Sequence, residues 1–413
     1  MSVSPVTAGV AMNLNAHPDI AKRPIFRYLI LLTFASAVAQ FGWTSLYTNF
    51  AVDVVHVTGQ QTGIVHAMRE VPGLLSVGVI FCLLFVSEHR LISLSVLCLG
   101  LGVMATGFFP SIQGLILTAV FMSFGFHYYE STVQSLTMQY FSKVETPPVM
   151  GRLRSATAAG SLFIGITVYV LSSGGIMVGP ISISLFPPVP IQYLFGVAGS
   201  LAVIGALWSL SQKIDDSGMP VQRRKMVLRK KYMLFYVLTL FSGARRHIFG
   251  TFSIFLLVSR FQFTVQEMLL FFIVNNTINW FLNPIIGKAI NSFGEQKLLI
   301  IKYSVLAGVF WAYSTTDSRT LVAVLYVVEQ LFTNFNMAIR TFFQKIADPG
   351  DIAPSIAVGQ TINHISAVIL PLAGGALWMV DYRIPFWIGI TVAVLAFCAT
   401  LFVNPTLRKA SAV

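Results

Sequence analysis

Charge is what this chain has least of. Only 10% of its 413 residues are charged while 55% are hydrophobic and mean hydropathy is +0.76, against roughly 25% charged in a soluble domain. A chain of this composition is expected in a membrane. Acids are scarcer than bases, 15 against 27, for a formal charge of +12 and a pI near 9.7. That balance would fit nucleic acid if the cations shared a polar face, but they stand between apolar runs, so no nucleic-acid partner is expected. Cysteine is nearly absent: Cys82, Cys98 and Cys398 all lie in apolar stretches, which excludes a disulfide framework and a Cys-based metal cluster. No nucleophile triad or phosphate-cradling glycine loop appears either. His127-x-x-Glu130 offers two metal ligands, short of the three or four of a tight site. No enzyme and no cofactor is expected, and without a nucleotide-binding motif any transport would draw on an ion or solute gradient.

What is present is a succession of apolar runs of membrane length. They fall near 28–51, 60–86, 91–109, 114–140, 150–172 and 191–210, then near 232–258, 268–287, 298–315, 321–344, 355–379 and 384–403. The expected fold class is therefore an all-α membrane protein of twelve transmembrane helices in two six-helix halves. The expected organisation is a cytoplasmic N-terminal tail, 1–27, an N-terminal half, 28–210, a basic cytoplasmic link, 211–231, a C-terminal half, 232–404, and a cytoplasmic tail, 405–413. The tail ending in Lys22, Arg23 and Arg27 precedes a run too long for a cleaved signal peptide. With that end inside, twenty cations fall on the cytoplasmic side, Arg154 and Lys302 among them, and only Arg260, Arg319 and Arg383 on the other. The positive-inside rule then places both termini in the cytoplasm, consistent with a bacterial inner membrane. The link holds seven cations with Asp215 and Asp216, and so cannot lie in lipid. The proline-rich stretch 172–190 reads as a long outer loop packed over the outer mouth, or as an inert lid.

After the eighth span the chain reads Gly287-Lys288-Ala289-Ile290-Asn291-Ser292-Phe293-Gly294-Glu295-Gln296-Lys297. With the six-link-six layout, this resembles the major facilitator superfamily, whose loop signature is G-x-x-x-D-R-x-G-R-[RK]. Gly287, Gly294 and Lys297 match as gating-loop residues, while Asn291 and Ser292 replace the signature's acid and arginine. The corresponding loop of the first half, Ser87-Glu88-His89-Arg90, keeps an acid and a base without the glycines. Setting Arg90 opposite Lys297 gives an internal offset of 207 residues, which carries Arg69 onto Asn276 and His127 onto Asn334. Repeats of this kind place a substrate site between halves near the midplane. The resemblance implies a secondary transporter working by alternating access. The fourth span lacks the proton-exchange arginine, and the fifth lacks the G-x-x-x-G-P-x-x-G-G pattern of drug/proton antiporters, both of which count against a drug antiporter.

Ionisable groups inside apolar runs are expensive, so each marks a partnered pair or a polar pathway. His127, Glu130 and Gln134 fall on one face of a helix; His127 and Glu130 suit proton loading and release, or else form a static pair. Arg245 and Arg246 lie roughly 20 Å into the seventh span and point about 100° apart. One can therefore clamp an anion while the other pairs with Glu130 or Glu329. Arg69 and Glu70 precede Pro72-Gly73, and as adjacent charges on different faces each is expected to need its own partner; they read as a gate latch or a ligand site. Glu329, Thr333, Asn336 and Arg340 form one polar stripe, with Arg340 near the inner mouth as an interfacial cation or a ligand contact. Asn275, Asn279 and Asn283 repeat every four residues, and Gln360, Asn363 and His364 share a face; these amides either contact a solute or bond helix to helix. Gln40, Trp43 and Tyr47 continue a face that can line the cavity.

The expectation is a monomeric permease in the lipid bilayer moving a small polar, anionic solute, with a proton as coupling ion. Arg245, Arg246, Arg69, Gln40, Asn275, Asn279, Asn336 and Asn363 are its substrate-binding candidates, and His127, Glu130 and Glu329 its proton-coupling ones. The rivals are a metal or organic cation permease using Glu70, His127 and Glu130, and a non-transporting scaffold or sensor that recruits partners through the link.

Overall fold

A computed structural model describes residues 20, 23–57, 59–178, 181–214, 221–223, 225–263 and 265–411. Lys22, Asp215, Asp216 and Arg224 lie outside them. Twelve consecutive helical runs account for nearly all described residues. In the first half these are α1 (Pro24–Asn49) with a π turn at Phe50–Val54, α2 (Gly59–Leu74) and α3 (Val79–Cys82) joined by a 3₁₀ turn, α4 (Glu88–Thr106), α5 (Ile112–Tyr140), α6 (Thr146–Ser173) and α7 (Ile191–Ser211). The second half runs through α8 (Met233–Ile248), a π turn at Phe249–Ser253 and α9 (Ile254–Ser259), then α10 (Val265–Phe293) and α11 (Glu295–Thr315). It closes with α12 (Arg319–Thr333) and α13 (Met337–Ile346) joined by a 3₁₀ turn, α14 (Ile352–Val380), and α15 (Ile384–Thr400) with α16 (Val403–Ser411). Eight of the runs, among the described residues, are long and apolar enough to cross a membrane. Helices satisfy their own backbone donors and acceptors, which a lipid-facing chain must do.

Local chemistry sets the helix ends. Ser111 and Ser318 cap α5 and α12 by accepting from Gly114 and Leu321 amides at 3.0 and 3.3 Å, while Pro24 and Pro385 enter helices in the first turn, where the missing N–H is no loss. Three expected spans are interrupted. The second breaks into a 3₁₀ turn at Leu75–Gly78 just after Pro72, the residue expected to kink it. The seventh loosens into a π turn directly after Arg245-Arg246-His247, and the tenth tightens to 3₁₀ at Asn334–Asn336. Such irregular turns inside helices gather at functional positions. The stretch expected as a loop over 172–190 contains a hairpin, with Gly175–Val178 (β1) antiparallel to Ile181–Ser184 (β2) and Gly175 opposite Ser184. Alternating β-branched residues there were a strand signal that the prolines obscured.

One apolar core, built on residues such as Leu29, Leu32, Val96, Leu99 and Phe195, fills the first half; two others, around Tyr303 and Phe342 and around Phe310 and Leu256, fill the second. Trp43 and Tyr47 stack at 4.5 Å inside the first core and are about 1% exposed, so they pack rather than line a cavity. The halves meet where α6 lies on α10 and where α2 and α5 lie on α14.

At the end carrying the link, the halves are tied together. Gln344 donates to Met138 O, Phe141 O and Thr146 Oγ1 at 2.8, 2.9 and 2.8 Å, and Asn291 donates to Val144 O at 2.6 Å. Gly287 sits so close to the opposite half that a Cβ would fall 2.4 Å from Pro147 O. The link takes part in the same closure. Its Gln222 donates to Gln139 at 3.1 Å and to Pro349 O at 2.9 Å. Arg223 reaches Asp351 at 2.8 Å, Arg229 reaches Asp348 at 2.7 Å and Lys231 reaches Asp348 at 2.6 Å. At the hairpin end the outer turns of α2 are largely exposed, from Ile64 to Met68 apart from buried Val65.

Candidate functional site: an arginine-lined cavity between the halves

A cavity of about 360 Å³ opens between the halves, and a smaller lobe of about 90 Å³ shares Gln134, Arg154, Arg246 and Arg340 with it. Helical periodicity builds the lining: Thr33, Ser36, Gln40 and Thr44 from one face of α1, Glu130 and Gln134 from α5, Arg154 and Thr157 from α6. Arg69 of α2, Arg246 of α8 and Arg340 of α13 complete it. Four guanidiniums thus face one space with a single carboxylate, Glu130. Among the described residues, no carboxylate oxygen lies within 4.0 Å of Arg154, Arg246 or Arg340.

Arg245 and Arg246 diverge as their helical spacing requires. Arg246 is exposed to the cavity, whereas Arg245 is fully buried, hydrogen-bonded to Glu329 and, at 3.2 Å, to Thr333. Arg245 and Glu329, expected in anion binding and proton coupling, therefore neutralise each other away from both lobes. The expected polar stripe of the tenth span is split by its 3₁₀ turn: Glu329 turns to Arg245, while Thr333, Asn336 and Arg340 reach the smaller lobe. Two further cations belong to the interior. Arg154 was counted with the cytoplasmic cations, yet α6 begins at Thr146 and carries it two turns inward to the cavity. Lys302, counted likewise, is 0% exposed and hydrogen-bonded to Asn336, which also accepts from Ser242 at 2.7 Å. Both stand inside runs that the hydropathy pattern already marked, which was the signal available.

The amides divide. Gln40 lines the main cavity, and Asn336 and Asn363 line the lobe. Asn279 instead accepts from Asn334 at 2.8 Å, and Asn275 is buried away from both lobes. Gly287 and Asn291 press on the opposite half as described, Gly294 turns the chain between α10 and α11 with φ +80°, and Lys297 is exposed.

Beside the cavity, a polar cluster crosses between halves. Arg69 bonds its neighbour Glu70 at 3.1 Å and lies over the Trp43 ring at 5.2 Å. Separate partners were expected, but the guanidinium reaches around the helix. The second oxygen of Glu70 lies 3.4 Å from His364 Nδ1, His127 and His364 rings stand edge to face at 4.4 Å, and His127 Nδ1 lies 3.8 Å from Glu130. Gln360 donates to Glu130 at 3.4 Å. Glu70, His127 and His364 each offer a ligand atom, all within 4.8 Å of one another. The rival cation site was expected from Glu70, His127 and Glu130; the structure supplies His364 as the third member.

Two helical halves, a polar cavity between them and apolar outer faces describe a multi-pass integral membrane protein. The family description "Major Facilitator Superfamily" matches residues 29–349, and the chain belongs to that family. Among curated proteins, the "Multidrug resistance protein 1" of Bacillus subtilis (strain 168) is 21% identical over 242 residues, which are 55% of this chain. The match spans 61% of that relative's length. Solved structures share the fold at low identity. A bacterial homologue of the iron transporter ferroportin, outward-facing, gives a TM-score of 0.75 at 12% identity over 93% of this chain and 100% of its own. The transporter FucP in its outward conformation gives 0.70 at 12% over 93% and 98%. The human organic anion transporter MFSD10 gives 0.69 at 12% over 93% and 100%. This is the fold of secondary transporters that work by alternating access.

Proposed function

We propose that this chain moves a small polar anion across the membrane by alternating access, with Arg246, Arg340 and Arg154 as its charge clamp and Arg69 at the edge of the site. The observation that carries this reading is the set of three cavity-lining guanidiniums without a carboxylate partner. Three guanidiniums that share one space with a single carboxylate repel one another, and an anionic carboxylate or phosphate ester that the planar fork can bind bidentately relieves that repulsion. A metal cargo is less well served, since of the residues expected for it only Glu130 lines the cavity. The low-identity neighbours carry such different cargo in their names that they favour none.

The proposal extends to coupling and orientation. Glu130 faces the cavity within reach of His127 and takes up a proton when the anion enters, which leaves the net charge of the site the same empty and loaded with a monoanion. In this reading the link end lies in the cytoplasm of a bacterial inner membrane, an orientation that the cation bias supports, and a monomer is the working unit. The closure by Gln344, Asn291 and Gln222 then seals the inner side and leaves the outer one to open. Link cations engaged by Asp348 and Asp351 favour a transporter over a scaffold that presents that link to partners.

The test is a thermal-stability screen of the purified protein with organic and inorganic anions, divalent metals and lipophilic cations. A ligand near 100 times its Kd adds roughly 2.7 kcal/mol to the folded state. Stabilisation by one class of anion, lost in Arg246→Gln and in Arg340→Gln, is the expected outcome; stabilisation that survives both substitutions, or that only lipophilic cations give, sinks the proposal.

A further inference from the structure

We infer that Glu70, His127 and His364 form a binding site for a first-row divalent metal of the zinc class, and that the bound ion staples the two halves together. The three ligands arrive from three helices. Glu70 is on α2 and His127 on α5, both of the first half, while His364 is on α14 of the second. The imidazoles are 4% and 1% exposed, and neither His127 Nδ1 nor His364 Nδ1 has a hydrogen-bond partner among the described residues. Two buried ring nitrogens, His364 Nδ1 3.4 Å from Glu70 and His127 Nδ1 3.8 Å from Glu130, are costly to leave without partners.

The chemistry fits the ion. Imidazole and carboxylate are the donors that zinc-class ions take, at bonds of about 2.0–2.2 Å, which set tetrahedral ligand atoms about 3.4 Å apart. Glu70 and His364 already stand at 3.4 Å, and the whole set lies within 4.8 Å, so rotamer-scale adjustment closes it. Arg69 engages the other oxygen of Glu70, which orients the carboxylate in the manner of an outer-shell partner. Water supplies the fourth ligand, as in sites with three protein ligands. Gly73 makes the approach possible, because a Cβ there would fall 2.6 Å from His364 Nδ1.

None of the three residues lines either lobe of the cavity, so the ion is not in the cargo's place. Alternating access rocks one half against the other. Coordination bonds spanning α2, α5 and α14 oppose that motion, and the metal acts as a brake on transport.

The experiment uses the full chain in detergent, with zinc chloride as probe, magnesium chloride as the chloride-matched control and no candidate cargo anion added, so that it is independent of the cargo reading. Equilibrium dialysis is expected to give one zinc per chain, with a saturable rise in Tm that magnesium does not reproduce. His364→Gln is expected to abolish both. His364→Cys, which restores a ligand, is expected to recover binding and so separates coordination from folding. With Cys82, Cys98 and Cys398 replaced by serine, spin labels at Val52→Cys and Met379→Cys report the distance between halves. Zinc is expected to narrow that distribution, and to leave it unchanged in the His364→Gln background. Absence of stoichiometric zinc, or binding undiminished in a folded His364→Gln protein, overturns the site. Zinc accumulation in proteoliposomes overturns the brake by making the metal a cargo.

Discussion

The second half of this molecule carries two neighbouring arginines in opposite circumstances, and the wider contrast is between a closed charge cluster and an open one. Around Arg245 the cluster is closed to solvent: the guanidinium bonds Glu329 and Thr333, Lys302 bonds the Asn336 amide, and Arg245, Glu329 and Lys302 are each 0% exposed. Around Arg246 the guanidiniums of Arg154, Arg246 and Arg340 share a space with Glu130, and none has a carboxylate oxygen within 4.0 Å among the described residues. Buried Arg245 meets the countercharge of Glu329 on a second helix, so the closed cluster holds helices together. The open cluster retains access to water and keeps its bonding capacity for a ligand.

That comparison breaks most sharply at Glu329. Glu329→Gln leaves Arg245 buried without its counter-ion, and is expected to destabilise the fold by about 3–5 kcal/mol, seen as aggregation on size exclusion or a steep loss of Tm. Arg246→Gln removes a solvent-accessible cation with no carboxylate oxygen within 4.0 Å among the described residues, and is expected to leave Tm near the parent value. Equal losses for the two substitutions would erase the distinction. The next largest effect is on binding: Arg246→Gln and Arg340→Gln are each expected to weaken the stabilising anion tenfold or more, about 1.4 kcal/mol per tenfold, as read by isothermal titration. Arg246→Lys, a point charge without the planar fork, should recover only part of it.

Hydropathy and cation bias made the helical runs, the link and the polar faces legible, because span length and the avoidance of charge in lipid are properties of single segments. What they could not resolve was which member of a polar pair turns inward. Arg245 and Arg246 differ by one helical step, and only the position of Glu329 on a distant helix decides their roles. Arg154 and Lys302 were misplaced because proximity to a span's end resembles exposure until the helix start is known. His364 joined Glu70 and His127 across 237 positions of sequence, a juxtaposition that no local pattern carries.

A smaller contrast separates the tied end from the open end. Gln344 makes three hydrogen bonds across the halves, all buried. Its amide nitrogen shares two protons among these three acceptors, so at roughly 0.6–1 kcal/mol per proton donated, Gln344→Ala weakens the closed link end by about 1–2 kcal/mol. Thiol labelling of a cysteine at Thr137, on the cavity wall toward that end, is expected to speed up in this background. Unchanged labelling would place the closure elsewhere, in the Asn291 and Gly287 contacts.

The smallest expected effect is a pH dependence at the link. Asp348 accepts from Lys231 and from Arg229 at 2.6 and 2.7 Å, and the hydrogen bond from Lys231, helped by the surrounding cations, holds its carboxyl below the ordinary aspartate range. A folded-state pKa lower than the unfolded one stabilises the fold above the unfolded value, near 4, and that contribution fades as pH falls through the folded value. The pair is half exposed, so screening keeps the effect small. Between about pH 5 and 3 the parent is expected to lose slightly more stability than Asp348→Asn, which lacks the titrating group, and 0.5 M salt should shrink the difference. A larger loss in Asp348→Asn than in the parent over that interval would show that the link is held by Asp351 and Gln222, with Asp348 a bystander.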